Sequence, residues 1–287
     1  MTKIIVIAVI ALIVIGAAGW SLATGAAGQA TQPATQSATS PATQTSTQPA
    51  KELTLDLGNK VTMKLALIPA GKFMMGSPAG EKDRVDSEGP QREVTISNAF
   101  YMGIYHVTQE QYEQVMGKNP SNFKGAQNPV EQVSWDDAVE FCKALSKKAG
   151  KTVSLPTEAQ WEYACRAGSK TRFSYGDDDD YGKLGDYAWY TKNSDNKTHP
   201  VGQKKPNDFG LYDMHGNVLQ WCSDWYAESY ANANKTDPMG PASGSDRVLR
   251  GGCWYGDPDR CRSAYRRWFT PDNRHYGVGF RVSVDLR

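Results

Sequence analysis

Charge is nearly missing from the first fifty residues of this 287-residue chain, where Lys3 stands alone. Such a stretch is not part of a folded enzyme. With Lys3 set aside, the other 237 residues hold 31 basic and 31 acidic side chains. That balance excludes a nucleic-acid binder working by bulk charge, because phosphate recognition needs a basic excess. No Cys-x-x-Cys occurs, which removes the zinc-ribbon and thioredoxin-like arrangements. The four histidines, His106, His199, His215 and His275, show no paired spacing for a metal. Lysine is absent from the C-terminal stretch, where all nine basic residues from Arg247 onward are arginine. Arginine suits sites where a planar fork must meet a carboxylate or carbonyl in fixed geometry. These arginines are therefore expected to pair with Asp and backbone groups and to hold a loop-rich core.

The one long apolar run, residues 4–19, follows a short basic start. Residues 1–30 read as a signal peptide or an N-terminal membrane anchor, with small residues at 26–30 as cleavage sites. Residues 31–50 contain only Thr, Gln, Pro, Ala and Ser, a tract that cannot bury apolar area and serves as a linker. Residues 51–287 carry seven of the eight tryptophans, enough to build a sizeable core. The expected location is outside the cytoplasm, with the N-terminus at the membrane during or after export. Five cysteines, Cys142, Cys165, Cys222, Cys253 and Cys261, leave at least one unpaired in a monomer. A Cys222–Cys261 disulfide is open at this level. Cys142 and Cys165 sit on the apolar sides of helices and are expected to be inert buried thiols.

Residues 61–68 alternate as a strand, with Val61, Met63, Leu65 and Leu67 on one face. A short strand follows in 71–77, and 93–96 with 100–107 read as a second pair. Thr108 with Gln111, Ser134 and Thr157 with Gln160 open three helices, and Gly150 and Gly168 end the last two. Beyond Gly168 the chain turns irregular. The acidic run 177–180 fails as a calcium loop, since Tyr181 holds the third ligand position and nothing acidic stands at the twelfth. It reads as a solvated loop.

Four motifs then stand in order. They are Leu-Pro-Thr-Glu-Ala-Gln-Trp-Glu-Tyr-Ala (155–164), Phe-Gly-Leu-Tyr-Asp-Met-His-Gly-Asn-Val (209–218), Arg-Val-Leu-Arg-Gly-Gly-Cys-Trp (247–254) and Gly-Phe-Arg (279–281). Together they resemble the sulfatase-modifying factor family, whose namesake is the formylglycine-generating enzyme, over about residues 65–284. The resemblance implies an α+β class: a single irregular C-type-lectin-like domain with low regular secondary structure. It further implies a copper(I)- and oxygen-dependent oxidase that converts a sulfatase cysteine to formylglycine on two thiolates, which are soft ligands suited to copper(I). Laid onto this chain, the second of those cysteines falls on Cys261 and the first on Gly256. Cys253 replaces a serine, and Gly277 an asparagine. The copper pair is thus incomplete unless Cys253 supplies the second sulfur, which places Cys261 and Cys253 as the catalytic candidates. The family's calcium site maps onto Asp213, Gly216, Val218 and Gln220, with a structural role expected.

The same fold is used by variable ligand-binding proteins of diversity-generating retroelements, and the tail here looks similar. Trp254, Tyr255, Tyr265, Trp268, His275 and Tyr276 are the ligand-binding candidates. The expected partner is a protein or peptide, a sulfatase among them. The expected function is a binding or accessory protein, with the oxidase and the displayed variable binder as alternatives.

Overall fold

The computed structural model describes residues 50–286. The assigned signal or anchor segment, and the linker residues 31–49, fall outside the described residues, as does Arg287. Among the described residues no helix is long and apolar enough to cross a membrane.

Strands β1 (Glu52–Gly58) and β2 (Val61–Ile68) form an antiparallel hairpin. They join β5 (Phe100–Gly103), β13 (Ser283–Asp285) and β6 (Val153–Ser154) in a five-stranded sheet of order β1-β2-β5-β13-β6. Strand β2 alternates as its sequence requires, and both of its faces find apolar partners. Met63 and Leu65 enter one core cluster with Tyr112, Phe141, Trp221 and Phe280. Ala66 and Ile68 enter a second with Met102, Trp161 and Leu211. Strands β3 (Gly71–Met75) and β4 (Arg92–Ile96) form a separate two-stranded sheet, with one further bridge from Thr95 to Thr236, so β4 and β5 are not the strand pair that their spacing suggested. Strand β5 also stops at Gly103, short of Val107.

The helix signals hold. Thr108, Ser134 and Thr157 each accept from the backbone N–H three residues on, and Gln111, Asp137 and Gln160 reach back to complete the box. These caps start α1 (Gln109–Met116), α2 (Trp135–Ala149) and α3 (Glu158–Arg166). Helix α2 buries Ala138, Phe141, Cys142 and Leu145 and ends on Gly150 in the left-handed region. Helix α3 ends one residue earlier than expected, on left-handed Ala167.

Past α3 lie α4 (Leu184–Tyr187) and a parallel two-stranded ladder, β7 (Ala188–Trp189) with β8 (His215–Gly216). A four-stranded sheet of order β11-β10-β9-β12 follows, from β9 (Leu219–Trp225), β10 (Arg247–Arg250), β11 (Arg266–Phe269) and β12 (Val278–Gly279). The long irregular segments between these strands are held by side chains. Arg172 accounts for much of the acidic run, which is not simply solvated. Asp177 accepts from the Arg172 N–H, Asp179 pairs with its guanidinium, and buried Asp178 accepts from Lys183 N–H and the Tyr175 hydroxyl.

Candidate functional site

The C-terminal arginines build the floor of the site. Arg250 is fully buried and donates to the Ser263, Ala264 and Tyr265 carbonyls at 3.1, 2.7 and 2.6 Å, and to Glu162. Arg262 forks onto Glu88 at 2.6 and 2.8 Å and reaches Glu81 at 2.8 Å. Arg266 forks onto Glu158 at 2.6 and 2.9 Å. Burial would raise Glu158, but the Arg266 and Arg250 charges overcome it and hold this carboxyl below its usual range. The counter-charges are thus mostly glutamates from distant segments rather than the aspartates expected. Glycine lets this floor pass close to its neighbours. Gly252 has φ 74°, and a Cβ there would sit 2.8 Å from both the Arg260 carbonyl and Cys261 Sγ.

All five cysteines are free and buried, which closes the Cys222–Cys261 disulfide alternative. Cys222 packs with the α3 side of the core, whereas Cys261 packs among Phe173, Leu184, Ala188 and Tyr190. Cys261 is completely buried, and burial holds its thiol well above the ordinary value. Burial likewise pushes Cys253 up to about 11. Cys253 Sγ lies 3.6 Å from the point where a Cβ on Gly256 would stand, so its sulfur does lean toward the position of the family's first cysteine. Both thiols are nonetheless closed off from solvent, and burial disfavours the charged form of each, a poor start for a thiolate pair.

Tyr255 lies against Cys253. A Cβ on Gly277 would run into the Tyr255 ring, so the space an asparagine side chain needs is taken by this tyrosine. Around it the aromatic candidates gather. Trp254 lies 5.0 Å from Tyr255 and 5.5 Å from Tyr276 between ring centroids, and Tyr276 lies 4.1 Å from His275. The Gly277 N–H donates to His275 Nδ1 at 3.1 Å, so that nitrogen is the acceptor and the proton of the neutral ring sits on Nε2. Trp254 is almost wholly covered, while Tyr276 is 40% exposed and Tyr255 and His275 are half-buried.

Trp268 and Tyr265 do not join this group. Trp268 stands on β11 and meets Tyr226 at a tilt, with ring centroids 5.8 Å apart, and Tyr265 is half-buried with its carbonyl on Arg250. Sequence reading missed Phe123, which meets Trp254 edge-on at 5.4 Å. Its loop is held by buried Glu131, whose carboxylate accepts from the Phe123 N–H at 2.7 Å. Glu131 Oε2 has no partner among the described residues, and burial raises this carboxyl to about 7. An unexplained buried glutamate at 131 was the available signal.

The calcium candidates are close together but partly engaged. Gln220 Oε1 accepts from Trp161 Nε1 at 2.7 Å and from Arg281 Nε at 2.6 Å, which uses both of its lone pairs. The Val218 carbonyl faces buried His106. Asp213 Oδ2 accepts from the Gly202 N–H at 2.8 Å, while Oδ1 is buried without a partner, and burial lifts the carboxyl to about 6. An orphaned carboxylate oxygen fits a hard cation; the Gln220 oxygen, as placed, does not.

A family model described as sulfatase-modifying factor enzyme 1-like domain matches residues 58–286. The chain is 33% identical to a chaperone protein LppX of Paenibacillus barcinonensis, over 77% of this chain and 89% of that protein. It is 30% identical to the formylglycine-generating enzyme of Mus musculus, over 77% of this chain and 75% of the enzyme. Among solved structures, Treponema denticola variable protein 1 superposes with a TM-score of 0.75 at 33% identity, covering 83% of this chain and all of that one. The chain therefore belongs to the sulfatase-modifying factor family, and its fold is the C-type-lectin-like fold of that family.

Proposed function

We propose that this is an exported binding protein whose Tyr255–His275–Tyr276 face recognises a protein or peptide, and that it does not oxidise cysteine by the copper route. The observation that carries this reading is the Tyr255 ring seated over Gly277. It fills the space of one active-centre side chain beside buried Cys253, while Gly256 offers no sulfur at all. What remains outward is a cluster of rigid aromatic edges beside Asp257, Arg260 and Arg267, a composition that suits adaptable recognition.

Copper(I) titration of the reduced protein against a competing chelator tests the negative half. Tight stoichiometric uptake that disappears in Cys261→Ala would return the oxidase. For the positive half, peptides selected from a random display library on the wild-type protein should lose binding to Tyr276→Ala. Selected peptides that bind that variant unchanged would sink the assigned face. A sulfatase is the first protein ligand to try, given the family.

The similarity to a variable protein of Treponema denticola supports a second reading, a displayed binder diversified at its tail. A neighbouring reverse transcriptase with an adenine-rich template copy of the tail would favour it. Structural calcium at Asp213 and Gly216 would answer the orphaned Asp213 oxygen, with Gln220 turned away from Arg281. Thermal melts with and without calcium decide this, a rise in Tm supporting the site and no shift removing it.

A further inference from the structure

A cavity of about 280 Å³ lies where the start of α3, the ends of β3, β4 and β9, and the loop 226–241 come together. None of the aromatic-face residues lines it, and its walls are largely apolar, with Met75, Val94, Ala159 and Pro238 among them. Two charged side chains in that wall, Asp224 and Arg92, make no salt bridge among the described residues. Asp224 is 3% exposed and uses Oδ2 to accept from the Glu158 N–H at 2.8 Å and the Ser223 hydroxyl at 3.0 Å. Those bonds account for the start of α3. Its Oδ1 has no hydrogen-bond partner among the described residues. Arg92 donates Nη1 to the Tyr230 carbonyl at 2.7 Å, its Nε is unpartnered, and no carboxylate pairs with it among the described residues. Glu158 and Arg266, which line the same cavity, fork onto each other, so the Arg266 charge acts on Asp224 only through space and donates no hydrogen bond to it among the described residues.

An unpaired carboxylate against an apolar wall is unfavourable until a cation meets it, and the same holds for a half-buried guanidinium. Burial and the neighbouring Glu158 charge raise Asp224 to about 7, the sign of a carboxylate short of donors. We infer that this cavity binds a small zwitterion, an ammonium and a carboxylate joined by an alkyl chain, with the ammonium on Asp224 Oδ1 and the carboxylate on Arg92. The alkyl chain would lie along the apolar wall. The site is independent of the aromatic face and stands or falls without it.

Isothermal titration of the full chain with 6-aminohexanoate, hexylamine and hexanoate tests this, since the three share one apolar body and differ in charge. The zwitterion should bind at least about tenfold more tightly than either partner, the scale of one charge-assisted hydrogen bond. Asp224→Asn keeps an oxygen for the Glu158 N–H and should fold. It should erase the advantage of 6-aminohexanoate over hexanoate, and Arg92→Gln its advantage over hexylamine. The inference is overturned if no probe binds, if either single-charge probe matches the zwitterion, or if folded Asp224→Asn binds all three as wild type does.

Discussion

Arg250, Arg262 and Arg266 reach carboxylates 88, 174 and 108 residues earlier in the chain, whereas Tyr255, His275 and Tyr276 meet chiefly one another. Both sets come from the same C-terminal stretch. The arginines are tied to groups that cannot be left unpaired in a low-dielectric interior, so each is bound to its place. The aromatic residues rest on backbone and on neighbouring rings, so one can change without stranding a charge. A scaffold divided in this way can vary its face while its floor stays fixed.

The comparison breaks most visibly at the floor. Arg250→Ala leaves Glu162 Oε2 and three carbonyls without their donor, although Arg166 still holds Glu162 Oε1, and should cost about 3–5 kcal/mol, read as a drop in urea midpoint with m unchanged. Gly277→Asn restores the family's side chain against the Tyr255 ring and should cost about 1–3 kcal/mol through overpacking. The double variant with Tyr255→Ala should recover much of that loss, a coupling measurable in a double-mutant cycle. If the two changes simply add, Tyr255 does not fill that space.

Glu131 ties the Phe123 loop to the aromatic group and gives a pH signature. Its folded value, about 7, lies above the ordinary 4.5, so the native state holds an extra proton between these pH values. Its contribution to stability is therefore lost as pH rises through that window. Glu131→Gln should gain on the wild type above pH 7 and show no difference below about pH 4.5, read from denaturation midpoints across pH. Smallest of all should be Tyr276→Ala, worth about 1 kcal/mol or less in a thermal melt because the residue is 40% exposed and carries no buried charge pair. A loss on the scale of Arg250→Ala would make the aromatic face part of the floor.

Local signals were legible in the sequence and distant pairings were not. Each capping box at Thr108, Ser134 and Thr157 depends on residues three apart, and all three helices begin there. The buried face of α2 follows from periodicity in the same way. No such rule assigns Glu88 to Arg262 or sends β4 and β5 to different sheets, because loop closure across long separations leaves no mark in spacing. The four motifs carried the family and the fold. They could not show that Tyr255 occupies the room opened by Gly277, since both departures from the pattern look like independent drift until they are seen together. Asp178 was read as solvated for the same reason: its partners, Tyr175 and Lys183, are near in sequence but face it only after the loop has folded back.

Strand β13 lies between β5 and β6, so the largest sheet is completed by residues 283–285. A growing chain therefore cannot close that sheet until residues 283–285 have been made, however much of the chain before them has emerged. Until β13 docks, β5 and β6 each present an unpaired edge to solvent.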